Sequence, residues 1–347
     1  LYWALREGHA EAIIAWGELL QSVIPLLSAD DLSQLMFLLA AKDDHDKPGL
    51  LLALVNGHED AIRAWSGIFQ TSLPLIPADD FRHLMTLLYV KADDCLSGWC
   101  VALQTGHAGA VKAWGELLQG ILPVLPPHDL SNIIEVLAGK DDRGRPTLYF
   151  AMRDGQTNII KIYLELLRGI LPLLPDNCTS KLVELLTAKD DWQTPGVNGA
   201  LREGHAEAIK AWGELLKEIA PIFCAEDLSQ LIELFAAKDQ IGTQGLYYAL
   251  REGHAEAIKA WGELLLSYVS LSPPSHLNQM MTLLLAKDTW GQSAVWLALA
   301  GNRADTINAW GEILKSFLFT LPHDELGELV RLQAAREATW PDWVWRC

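Results

Sequence analysis

An all-α solenoid of seven 49-residue, three-helix repeats is what this sequence predicts, and three observations predict it. Gly8, Gly57, Gly106, Gly155, Gly204, Gly253 and Asn302 stand 49 residues apart, and the same step carries Ala4 through Ala53, Ala102, Ala151, Ala200 and Ala249 to Ala298. Apolar residues between these columns recur at helical spacing. Glycine and proline punctuate every copy at fixed positions, and no insertion breaks the register. A period of this length marks a stacked array, in which each unit buries its apolar face only against its neighbours. The function is therefore expected on an extended surface rather than in one catalytic cleft.

The first element, helix A, is short. Over residues 245–252, Leu246, Ala249 and Leu250 have helical spacing, and Gly253 supplies the left-handed residue that ends the helix. Asn302 in the same column fits, because asparagine is the next best residue for a positive φ. Helix B follows over residues 255–269, with Ile258, Trp261 and Leu265 along one face. Lys210 with Glu214, and Lys259 with Glu263, are expected as i, i+4 pairs on its outer side.

Helix B is expected to stop near Pro25, Pro74, Pro123, Pro172 and Pro221. A second proline column (Pro77, Pro126, Pro175, Pro273, Pro322) precedes helix C, with Asp30, Asp79, Asp129 and Asp227 as caps or favourable dipole charges. Helix C spans residues 32–42 in the first copy, its face made by Leu32, Leu35, Met36 and Leu39. Lys42, Lys91, Lys140, Lys189, Lys238, Lys287 and Arg336 would close it with a positive charge. A loop of about six residues leads to the next helix A.

One repeat domain covers residues 1–347, with repeats at 1–44, 45–93, 94–142, 143–191, 192–240, 241–289 and 290–338. Where the period demands another turn, Trp340, Trp343 and Trp345 appear, so residues 339–347 are expected to fold back as a cap. The chain opens inside a helical pattern and without Met, and so is expected to be a fragment, one that need not carry the parent's targeting segments.

Composition narrows the function. A net charge of −17, with 27 Lys and Arg against 44 Asp and Glu and no basic run, argues against nucleic acid. No stretch approaches 18 uncharged apolar residues, so no membrane insertion is expected. Cys95, Cys100, Cys178, Cys224 and Cys347 occupy unrelated places in their repeats, which reads as free thiols in a reducing compartment rather than disulfides or a zinc site. Paired carboxylates such as Asp43 with Asp44 and Asp141 with Asp142 recur with the period and read as caps and turns. With no nucleophile elbow and no phosphate-binding glycine loop, no catalytic residue, metal ligand or cofactor is expected.

Residues 245–259, GLYYALREGHAEAIK, resemble the ankyrin repeat, whose helix A reads T-P-L-H-x-A-A-x-x-G-H. Residues 141–148, DDRGRPTL, are similar to the ankyrin D-x-x-G-x-T-P-L loop, with Pro and Thr reversed, and Asp239 to Gly242 and Asp288 to Gly291 repeat its D-x-x-G part. The resemblance covers about two thirds of every unit; an ankyrin repeat has 33 residues, and helix C accounts for the 16 extra here. Tetratricopeptide and HEAT units are the alternatives, the first too short and the second without the Gly-His turn. The resemblance implies an ankyrin-like α-solenoid of extended repeats, of the kind found in secreted bacterial effectors. It implies a monomeric, non-catalytic, protein-binding scaffold that is cytoplasmic, or delivered into a host cytosol if the effector likeness holds. A recognition or spacer arm of a longer effector or toxin, and a self-assembling structural array, are the other two readings.

Candidate residues divide by column. His9, His58, His107, His205 and His254 recur too far apart for shared ligation and are expected to tie neighbouring turns together. Trp16, Trp65, Trp114, Trp212, Trp261 and Trp310, with Tyr163, are expected as core between repeats, beside the Ile13 to Ile307 column. Helix A and the loop tips vary instead, and in the ankyrin family they line the concave side and contact ligands. That implies a protein-binding surface made of His45, Lys47, Arg143, Arg145, Tyr149, Trp192, Gln193, Gln240, Tyr247, Trp290, Gln292 and Trp296.

Overall fold

The computed structural model describes residues 1–28, 31, 39, 42–73, 98–125, 133–140, 145–174, 179–187, 189–190, 193–224, 230–231, 233–235, 237–269, 284, 286–289 and 291–318. Each repeat contributes a helix pair: α1 (Tyr2–Arg6) with α2 (Ala10–Val23), α3 (Gly49–Val55) with α4 (Glu59–Ser72), α5 (Gly98–Gln104) with α6 (Ala108–Ile121), and α7 (Thr147–Arg153) with α8 (Thr157–Ile170). Helix α9 (Thr179–Thr187) is the third helix of the fourth repeat. Then come α10 (Gly196–Glu203) with α11 (Ala206–Ile219), α12 (Gly245–Glu252) with α13 (Ala255–Val269), and α14 (Ala294–Ala300) with α15 (Ala304–Leu318). Among the described residues there is no strand, and the fold is all-α. Helix C of the first repeat lies largely outside the described residues, as do Asp30, Asp79, Asp129, Asp227 and the tail at 339–347.

The glycine turn forms as its sequence requires. Gly8, Gly57, Gly106, Gly155, Gly204 and Gly253 have φ between 68° and 94°, and Asn302 takes 53°. The following amide reaches back to the alanine column, His9 N–H to the Ala4 carbonyl at 2.8 Å and His254 N–H to Ala249 at 2.9 Å, which is a Schellman closure. The alanines from Ala53 to Ala298 are buried because these short helices pack directly on one another.

Helix B does not simply stop at proline. Residues Ile24–Leu26, Leu122–Val124, Leu171–Leu173 and Ala220–Ile222 form a 3₁₀ turn with proline as second residue, where the missing N–H is not needed. Ahead of helix C in the first repeat, Ser28 Oγ accepts from Asp31 N–H at 3.3 Å and the Asp31 carboxylate accepts from Ser28 N–H at 3.2 Å, a capping box.

Two expectations need correction. The lysine column does not close helix C. Lys42, Lys140, Lys238 and Lys287 form isolated β-bridges with Pro48, Pro146, Gln244 and Ser293, at the base of a projecting hairpin. The lysine backbone is consumed by the hairpin, and α9 ends two residues before Lys189. The lysines of helix B pair backwards: Lys210 with Glu207 at 2.8 Å and Lys259 with Glu256 at 2.9 Å. Glutamate N-terminal to lysine is the better order on a helix, and it leaves the acid in the first turn where the dipole favours it.

Leu1–Ala151, Gln156–Asp191 and Glu214–Ile222 form one compact unit; Met152–Gly155, Trp192–Gly213 and Phe223–Cys347 form a second. In the first, α1 packs on α3 and α3 on α5, while α2, α4, α6 and α8 follow one another in register. In the second, α10 packs on α12, α12 on α14 and α13 on α15. The core is the helix B stripe. Ile13, Ile62, Val111, Ile160, Ile209 and Ile258 are fully buried, and Trp65, Trp114, Tyr163, Trp212, Trp261 and Trp310 are buried beside them. Trp65 Nε1 donates to the Leu39 carbonyl at 3.3 Å, Tyr163 OH to Leu137 at 2.8 Å and Trp310 Nε1 to Leu284 at 3.1 Å. The same backward step of 26 residues recurs in all three, and these bonds tie three of the helix B elements to the preceding helix C.

Candidate functional site

The side of the repeats formed by helix A and the hairpin tips is organised around one aspartate per hairpin. Asp43 Oδ1 accepts from the His45 and Lys47 amides, both at 2.9 Å, and Asp239 Oδ1 accepts from Ile241 at 3.0 Å and Thr243 at 2.9 Å. Asp288 Oδ1 accepts from Gln292 N–H at 2.7 Å. Such local bonds fix the tip without secondary structure. The Lys47 amide, followed by the His45 amide and the Tyr2 hydroxyl, holds the Asp43 carboxyl below its ordinary range.

The second carboxylate oxygen faces helix A. Tyr2 OH donates to Asp43 Oδ2 at 3.1 Å, Tyr149 OH to Asp190 Oδ2 at 3.2 Å and Tyr247 OH to Asp288 Oδ2 at 3.3 Å, each across 41 residues. Tyr248 OH instead donates to the hairpin directly preceding its own helix, to Asp239 Oδ2 at 2.7 Å. Burial first, then the Asp288 charge, push the Tyr247 phenol up to about 12.

Neighbouring aromatics on helix A form edge-to-face pairs. Tyr2 with Trp3, Tyr149 with Phe150 and Tyr247 with Tyr248 have ring centres 5.5, 5.6 and 5.7 Å apart. Arginines cover their outer faces: Arg6 over Trp3 and Arg145 over Phe150, each at 4.7 Å, and both Arg202 (5.3 Å) and Arg251 (5.1 Å) over Tyr248. In the second unit Arg202 and Arg251 thus flank Tyr248, whose hydroxyl shares the Asp239 carboxylate with the Ile241 amide.

The residues expected to bind a partner fall into three groups. His45, Gln193 and Gln240 are exposed at the tips, and Lys47, Arg145, Gln292 and Trp296 are half-buried. Tyr149 and Tyr247 are buried, with their hydroxyls occupied, and form the floor of this side rather than its rim. Arg143, Trp192 and Trp290 lie outside the described residues. Arg202 and Arg251 were not singled out by sequence, and Asp43, Asp239 and Asp288 were read there only as turn residues, without their tyrosine partners. The one available signal was a tyrosine placed 41 residues before an aspartate in three repeats.

The histidine column is part of the framework. An added Cβ on Gly8, Gly57, Gly155 or Gly204 would stand within 2.6 Å of the next repeat's His58, His107, His205 or His254. Among the described residues no group of three His, Cys, Asp or Glu could hold a metal ion, and no helix is long and apolar enough to cross a membrane.

No protein-family model matches the chain, and no curated protein does. Solved structures do. An ankyrin repeat domain from Acinetobacter baumannii AYE is similar at 13% identity, over 76% of this chain and 96% of that one, with a TM-score of 0.42. A second ankyrin repeat protein is similar at 12% identity, over 67% of this chain and 90% of that one, with a TM-score of 0.36.

Proposed function

We propose that this chain is a protein-binding scaffold whose partner lies against helix A and the hairpin tips. One observation carries the reading: the framework columns keep one residue type in nearly every repeat, whereas the helix A positions run from Asn198 and Gly199 to Tyr247, Tyr248 and Trp296. Stacking explains the first set. It does not explain two arginines laid over Tyr248, nor the exposed Ile241 at the tip whose Asp239 Tyr248 holds, and arginine with aromatic residues is the composition of binding hot spots. The tip residues Arg143, Trp192 and Trp290 belong to the same proposal. Service as the recognition arm of a secreted effector draws only on the sequence resemblance.

Replacing Arg202 and Arg251 with Ala, and separately Trp192 and Trp290 with Ala, tests it. Each pair should leave helicity and Tm nearly unchanged while weakening partner capture at least about tenfold, about 1.4 kcal/mol. Undiminished capture by both folded variants would refute the reading.

A further inference from the structure

One position on helix A carries arginine in four of the seven repeats: Arg6, Arg153, Arg202 and Arg251, against Val55, Gln104 and Ala300 in the others. Three of the four fall in consecutive repeats of the second unit. Arg153 and Arg202 lean across the joint to the next repeat. Arg153 lies on Gly199, where an added Cβ would stand 2.8 Å from its Cγ, and the Arg202 guanidinium lies 5.3 Å from the Tyr248 ring centre. Arg251 covers the same ring at 5.1 Å, so one phenol carries two guanidiniums.

Stacking on a ring occupies the face of a guanidinium and not its N–H edge. Arg251 Nε donates to Glu252 at 2.7 Å, and Arg202 Nε stands 3.6 Å from the Glu203 carboxylate. Among the described residues no acceptor meets the terminal nitrogens of either arginine. Both ion pairs join exposed neighbours in sequence, and such pairs are weak enough to exchange. The hairpin carboxylates nearby are engaged, Asp239 with Ile241, Thr243 and Tyr248, and Asp288 with Gln292 and Tyr247. Arg153 shows what this position does with a carboxylate at hand: its Nε and Nη2 meet the two Asp154 oxygens at 2.6 and 2.9 Å.

We propose that the surface around Tyr248 takes an acidic peptide, an extended segment whose aspartate or glutamate side chains pair with Arg202 and Arg251. This rests on the reading of helix A and the hairpin tips as a protein-binding surface and supplies the chemistry of the partner. Carboxylates fit because the unused donors belong to two preset guanidinium forks, and a fork meets both oxygens of a carboxylate where lysine would offer a point charge. An extended segment fits because neighbouring repeats stand roughly 8–10 Å apart, about three residues of extended chain, and in the polyproline II form every third side chain falls on one side. The net charge of −17 is compatible with this. In the second unit the exposed acids Glu207, Glu256 and Glu263 sit on helix B, a helix layer away, and a Debye length of about 8 Å at physiological salt screens them from helix A.

Fluorescence anisotropy tests it on the 347-residue chain, with a labelled serine peptide carrying Asp at every third position and the same peptide with Asn for Asp. The Asp peptide should bind at least about tenfold more tightly than the Asn peptide. Arg202→Gln with Arg251→Gln should remove that advantage with helicity retained, whereas Lys210→Gln with Lys259→Gln, which takes the same charge from helix B, should leave it intact. Equal affinity for the two peptides, or no binding of either, overturns the proposal. So does an equal loss in the lysine variant, which would mean attraction by net charge alone. A phosphoserine peptide that binds where the Asp peptide does not would overturn the assignment of carboxylates. Loss of partner capture by the arginine variant without any binding of the Asp peptide would overturn this inference alone and leave the scaffold reading standing.

Discussion

Trp99 Nε1 donates to Tyr163 OH at 2.8 Å, and that hydroxyl donates onward to the Leu137 carbonyl at 2.8 Å, all three residues being fully buried. Tyr163 replaces the tryptophan of the other repeats, and its single oxygen serves as both acceptor and donor. Tyr163→Phe keeps the ring and orphans two buried polar groups, each costing about 1–3 kcal/mol. The urea midpoint should fall accordingly; an unchanged midpoint would mean that water restores both bonds.

The glycine column allows two contributions to be separated. Gly57 (φ 81°) has His107 against it at 2.5 Å from an added Cβ, whereas Gly106 (φ 82°) has nothing within 4 Å. Gly106→Ala should cost only the left-handed backbone penalty, roughly 1–2 kcal/mol. Gly57→Ala must also displace an imidazole and should be the more destabilising by urea denaturation. Equal losses would show that the histidine yields freely.

Ala151 is buried in α7 at a position where helix A packs on its neighbours. Ala151→Leu should cost about 1–3 kcal/mol through overpacking. An unaltered urea midpoint would count against the tight stacking of these short helices.

Tyr247 predicts an alkaline limb. Its folded pKa of about 12 lies above the unfolded value near 10, so its contribution to stability is fully present below about pH 10 and is lost as pH rises towards 12. Tyr247→Phe should remove a late-ionising phenol from the absorbance titration at alkaline pH. Its stability should also fall less steeply between about pH 10 and 12. Superimposable profiles for the two proteins would disprove the assignment.

The period, the helix pair, the glycine turn and the helix B core were all legible in the sequence, because each follows from local chemistry repeated in register. Gly253 ends α12 since only glycine or asparagine readily takes a positive φ, and Ile258 with Trp261 face the core since a 3.6-residue period puts them on one side. The tertiary structure alone decided the rest. Lys42 sits in a hairpin rather than at a helix end because Asp43 collects the backbone amides around it. Tyr247 is buried with its hydroxyl occupied because Asp288, far along the chain but close in space, accepts its hydrogen bond. Local preference fixes what a segment becomes; which aspartate meets which tyrosine depends on how consecutive repeats stack, and only the folded chain determines that.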